Sequence, residues 1–152
     1  MRNTLTQWVR KPAVNPPNEL QVAVMEELTT NVNWIAVVVG FVASFLLGWL
    51  WYSPKLFGTK WAEGVGVELG KAGEMPMAAM LTQAVGTFLL SWVVGITAGQ
   101  EALLTIILIV ITIVMLRVSG GLYTKKSNYA IMTDAGFIAA MAIVMIVCQG
   151  IF

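Results

Sequence analysis

A chain of 152 residues that is 58% hydrophobic and 11% charged, with mean hydropathy +0.80, departs from soluble domains, in which charged residues make up roughly a quarter. Its net charge of +1 comes without a clustered Lys/Arg footprint, which argues against a nucleic-acid partner. It holds no histidine and one cysteine, Cys148, which excludes histidine-ligated haem, zinc and iron sites, thiolate iron–sulfur clusters, disulfides and any nucleophile that needs an imidazole base.

Residues 1–32 read as an extramembrane arm. They carry Arg2, Arg10, Lys11, Glu19, Glu26 and Glu27 with Pro12, Pro16 and Pro17. Asn15-Pro16-Pro17-Asn18 breaks any preceding helix, Asn18 can cap a new one, and Leu20, Val24 and Leu28 share one stripe at four-residue spacing. That pattern predicts a short amphipathic helix after residue 18. A loose tail is the bland alternative; residues 1–30 are read instead as a surface for other membrane-protein subunits.

Four stretches lack Asp, Glu, Lys and Arg: Leu28 to Pro54, Met75 to Gln100, Ala102 to Leu116 and Ala135 to Phe152. In hydrocarbon every backbone N–H and C=O must be satisfied within the chain, so these are helices despite β-branched runs such as Ile106 to Val114. With interfacial residues included the spans fall at about 33–52, 77–98, 102–122 and 128–151, each near the ~20 residues that cross a ~30 Å core. The first is no cleavable signal, because it ends in the bulky Trp51-Tyr52-Ser53-Pro54. The expected fold is an all-α, integral membrane four-helix bundle at 33–152. Lys55, Lys60 and Lys71 in the first loop and Arg117, Lys125 and Lys126 at the third connection place those loops in the cytoplasm and both termini outside it.

The first span repeats small residues at Ala36, Gly40, Ser44 and Gly48, and the second at Thr87, Ser91, Gly95 and Gly99. Lipid gives helices no hydrophobic reason to pair, so grooves of small side chains are the usual packing faces; the two rows could face one another within the chain or across copies.

The first span closes on Trp49 and Trp51-Tyr52-Ser53-Pro54, followed by Phe57-Gly58 and Trp61. Tryptophan and tyrosine favour the headgroup boundary, Ser53 can cap, Pro54 fits a first helical turn, and Phe57 and Trp61 lie four apart on one face. A short interfacial helix is therefore expected here, either as a plain membrane anchor or as a docking site for lipid, quinone or another subunit.

Two charges lie inside apolar segments, Arg117 and Asp134, equidistant from the Lys125-Lys126 turn, so antiparallel helices bring them to equal depth. Either charge unpaired at mid-bilayer would cost up to ~2.5–3.5 kcal/mol, less off-centre. Structurally they read as an ion pair fixing the hairpin, or Arg117 snorkels to headgroups; functionally Asp134 reads as a proton- or cation-handling carboxylate. Gln83 sits at matching depth in the second span, and Thr82-Gln83-Ala84 parallels Thr133-Asp134-Ala135, which reads either as a duplicated hairpin of the kind transporters use or as coincidence between two biased compositions. Glu101 reads as a helix cap and Cys148 as an apolar packing residue, while Gly64 to Gly73 lacks the ending of a phosphate loop.

The positions Asn33-Trp34, Trp51-Tyr52-Ser53-Pro54, Phe57-Gly58 and Trp61, with Asp134-Ala135-Gly136-Phe137 in the last span, resemble a bacterial domain-of-unknown-function family of small four-span membrane proteins. The resemblance covers about residues 33–152 and implies an architecture and a bacterial inner membrane, with no activity to carry over. Two departures matter: the family usually begins near the Asn-Trp pair, so the arm is an addition, and an aromatic-His pair of its last helix is Phe137-Ile138 here. If that histidine served chemistry, this chain has lost it.

The expected role is a non-catalytic accessory subunit of a larger inner-membrane complex, without cofactor or metal. The alternative is a small homo-oligomeric transporter or channel using Asp134 and Gln83. A lipid-modifying enzyme would have little beyond Asp134, Arg117, Glu63, Glu68 and Glu74 to work with.

Overall fold

The computed structural model describes residues 22, 25–70 and 76–152, and the chain divides into units Met1–Thr30 and Asn31–Phe152. In the first unit residues 25–29 are helical and the Thr30 N–H closes on the Glu26 carbonyl at 2.8 Å. The expected helix start at Asn18 and most of the proposed partner surface at 1–30 lie outside the described residues.

The second unit contains α1 (Trp34–Trp51), α2 (Gly58–Val65), α3 (Met77–Gly99), α4 (Leu103–Tyr123) and α5 (Asn128–Ile151), with no strand among the described residues. All but α2 are long and apolar enough to cross a bilayer, so this is a multi-pass membrane protein built as a four-helix bundle. Helix starts are set where a side chain can satisfy a free N–H: Asn33 accepts from Ala36 N and Ser127 from Ala130 N, each at 3.2 Å.

Helix α5 forms the centre. Half of its apolar stretch is buried against 6% of that of α4, which is fully buried only at Ile106 and Gly121 and packs Ile109, Val110 and Val114 half-buried against the core. Val94, Ile106, Phe137, Ile138, Met141 and Met145 make the core, flanked by Leu47, Trp51, Tyr52 and Leu90.

Both small-residue rows pack within the chain, against different neighbours. On α1, a side chain added at Gly40 would meet Ser91 and Met145, Ser44 Oγ lies 3.5 Å from the Met141 carbonyl, and Gly48 lies under the Phe137 ring. The row of α1 therefore seats mainly on α5. Across α3, Ser91 Oγ donates to the Val37 carbonyl at 2.7 Å, Gly95 abuts Val37, and Gly99 abuts Asn31. The rows touch at Gly40 and Ser91, and further along the α1 row Gly48 meets Phe137 of α5 instead.

The connections correct two local expectations. Glu101 is no cap: it takes the left-handed conformation (φ 55°) in the α3–α4 turn, and Ala102 stands at the helix start without a capping side chain. Ser53 also fails to cap α2, its hydroxyl donating back to the Leu50 carbonyl at 2.7 Å. Residues 53–57 turn instead, and α2 begins only at Gly58, where any Cβ would overlap the Tyr52 carbonyl oxygen.

Candidate functional site

The polar centre of the bundle is built at its Tyr52 end. Asp134 lies in the second turn of α5, only 4% exposed, where an unpaired carboxylate would be strongly disfavoured. Its Oδ1 accepts from Tyr52 Oη at 3.0 Å and from Trp61 Nε1 at 2.8 Å. Its Oδ2 accepts from Lys126 Nζ at 2.9 Å and lies 3.8 Å from Arg117 Nε. Every part of the fold but α3 contributes: Tyr52 caps α1, Trp61 sits on α2, Arg117 on α4, and Lys126 in the turn before α5.

Local geometry explains why these side chains converge. Lys125 adopts φ 55° and the Lys126 N–H bonds back to the Gly121 carbonyl at 3.0 Å, which ends α4 and aims the next side chain along the start of α5. Helix α2 is held against the same turn, since the Ser127 N–H bonds to the Gly64 carbonyl at 2.9 Å. Trp51 Nε1 donates to the Thr133 carbonyl at 3.2 Å, and Lys60 lies over the Tyr129 ring at 5.8 Å.

Aromatic rings wall the carboxylate. Tyr52 meets Trp61 and Phe137 edge-on at centroid distances of 5.0 and 5.2 Å, and Trp51 packs against Phe57 with tilted rings at 4.7 Å. Burial, and then the facing Asp134 charge, push the Tyr52 phenol above its ordinary value of 10.0, so it remains a protonated donor.

This arrangement revises the reading of several residues. The close cation is Lys126; Arg117, 57% exposed on its side chain, is the outer member. Trp51, Tyr52, Phe57 and Trp61 turn inward as packing and hydrogen-bonding groups, whereas Trp49, at 70% exposure, and Pro54 face outward as membrane-anchor residues would. Gln83 shares none of the Asp134 contacts; its amide donates to Thr87 Oγ1 at 3.1 Å on its own helix. Lys126 was the partner missed from sequence, and its signal was position: it directly precedes the Ser127 cap, eight residues before Asp134.

Gln83 and Thr87 instead line a lateral groove of about 530 Å³ between α3 and α4, floored by Ile138 and Met141. A smaller crevice of about 160 Å³ at the opposite end holds Thr97, Glu101 and Gln149. No metal-binding cluster of His, Cys, Asp or Glu occurs among the described residues. Chemically, the Asp134 cluster can fasten helices together through a compensated charge.

A family model described as "Protein of unknown function (DUF1761)" matches residues 35–150. Comparison with curated proteins and with solved structures found no match.

Proposed function

This chain belongs to the DUF1761 family of proteins of unknown function, and we propose that it serves as a non-catalytic accessory subunit of a larger assembly in a bacterial inner membrane, with both termini outside the cytoplasm. The observation that carries the proposal is α4: a 21-residue helix whose buried residues are only Ile106 and Gly121, leaving Leu104, Leu108, Met115 and Leu116 all more than 60% exposed. Such a face suits either acyl chains or the helices of a neighbouring subunit.

The transporter alternative asks Asp134 to exchange protons or cations during a cycle. Its near-complete burial and its three hydrogen-bonded donors favour a fixed structural charge instead.

The test exploits a single, buried cysteine, Cys148. In a Cys148→Ser background, Leu108→Cys is cross-linked in native membranes with a short bifunctional reagent, and the products are weighed after gentle solubilisation. Adducts to unrelated membrane subunits support the proposal; recovery only as monomer or as adducts between copies of this chain overturns it.

A further inference from the structure

The groove between α3 and α4 is mostly apolar, with Thr82, Gln83 and Thr87 as its polar lining, and the Asp134 cluster lies beyond one end of it. Ala78, Thr82 and Gly86 of α3 face Ile113 of α4, with Ile138 and Met141 of α5 as the floor. Arg117 lies one helical turn beyond Ile113 and Asp134 one turn before Ile138, so both helices leave the groove at the same end carrying these charges. At about 530 Å³ the groove falls in the range of sites for bound organic molecules, and it opens sideways from the bundle.

At the Asp134 carboxylate two cations meet one anion. Arg117 and Lys126 face one carboxylate, and Lys126 already holds its Oδ2 at 2.9 Å. Arg117 reaches the same oxygen only through Nε at 3.8 Å and makes no hydrogen bond among the described residues, so its terminal guanidinium N–H groups, on a side chain 57% exposed, are open to an acceptor from outside the chain. Lys125 stands exposed in the adjoining turn. Basic positions beside openings between membrane helices attract anionic headgroups.

We propose that this groove binds one anionic phospholipid, an acyl chain lying between α3 and α4 and the phosphate taken by Arg117 with help from Lys125. A partner helix would need its own acid at that depth, whereas a phospholipid brings apolar chain and phosphate in one molecule. Guanidinium is suited to the task, because its planar fork can give two parallel hydrogen bonds to a phosphate.

The test uses the full-length chain in detergent, titrated with phosphatidylglycerol or phosphatidylcholine of matched chains and followed by native mass spectrometry. Both lipids offer a phosphodiester to Arg117, but phosphatidylcholine also brings a choline cation next to Arg117 and Lys125, so wild type should bind the net anionic lipid about tenfold more tightly, a preference weakened by salt. Arg117→Gln should lose the preference while keeping the weak phosphatidylcholine binding, and Arg117→Lys should restore part of it. Gly86→Leu fills the groove and should lose both lipids; it should fold, because a Cβ at Gly86 meets nothing within 4 Å. Equal binding of the two lipids by wild type, retained preference in Arg117→Gln, or unchanged binding in Gly86→Leu would each overturn the proposal. So would cross-linking in native membranes that places a partner helix at Gly86.

Discussion

A carboxylate buried beside two cations of unequal exposure makes its contributions separable. Lys126 is 21% exposed and hydrogen-bonded to Asp134, whereas Arg117 is 57% exposed and 3.8 Å away. Solvent and headgroups screen the Arg117 contact, so Arg117→Gln should cost under ~1 kcal/mol of stability. Replacing Asp134 by Asn strands Lys126, and breaking a buried pair costs ~3–5 kcal/mol; because Lys126 can swing outward, about 2–3 kcal/mol is expected. Lys126→Met should fall between the two. Thermal unfolding of the three variants in one detergent checks this order, and an Arg117→Gln loss equal to that of Asp134→Asn would contradict it. Tyr52 adds a pH dependence whose sign follows from its raised pKa. Folding favours the protonated phenol, so its stabilisation is complete below the unfolded tyrosine value near 10.0 and is lost as pH rises above it. Absorbance at tyrosinate wavelengths should therefore show Tyr52, by difference from Tyr52→Phe, ionising at a higher pH in the folded protein than in the unfolded chain. The sequence made Asp134 and Arg117 visible because charges inside apolar runs stand out. It concealed Lys126, since equal backbone depth said nothing of a long side chain folding back through the left-handed Lys125 turn.

Among the elements, α2 is bound to the bundle more tightly than an amphipathic surface helix need be. Its Gly64 lies so close to Ser127 and Ala130 that a Cβ would overlap the Ser127 hydroxyl, while the Gly64 carbonyl accepts the Ser127 N–H at 2.9 Å. Gly64→Ala should push α2 off the α4–α5 turn, with a stability loss of about 1–3 kcal/mol for an overpacked contact. Ser127→Gly removes the obstructing side chain and, at a helix start, costs only a few tenths of a kcal/mol. The double variant should recover part of the Gly64→Ala loss, Ala130 Cβ remaining at 3.0 Å from the new methyl. Strictly additive losses in a double-mutant cycle would disprove the contact. The spans themselves were legible almost to the residue, 33–52 becoming Trp34–Trp51 and 128–151 becoming Asn128–Ile151. Hydrocarbon leaves backbone groups no partner but their own helix, so apolar length alone dictates the element. Between spans that constraint lapses. Ser53-Pro54 carried the composition of a helix start, but residues 53–57 turn back, with the Phe57 N–H bonded to the Trp51 carbonyl and the two rings in tilted contact, and α2 begins later.

At the scale of the whole molecule, the two functional readings differ in what they require of the polar cluster around Asp134. Transport requires a group that water or solute reaches in alternation, and a tie between helices requires one that is never released. Asp134 joins α5 to the end of α1, to α2 and to the α4–α5 turn, so removing its charge should loosen three elements together. Helix α3 contributes no donor to it, and the Gln83 amide is engaged with Thr87. Proteoliposomes carrying Asp134→Asn and Gln83→Ala separate the cases. In the structural reading neither wild type nor Gln83→Ala dissipates an imposed proton or sodium gradient beyond empty vesicles, and Asp134→Asn changes only the melting temperature and the yield of intact protein. A wild-type flux that Asp134→Asn abolishes while its melting temperature stays unchanged would instead make the carboxylate a carrier. The fold argues for the first outcome: three donors, each from a different part of the chain, must all move before Asp134 could meet a solute, whereas α4 already offers neighbours an uncovered apolar face.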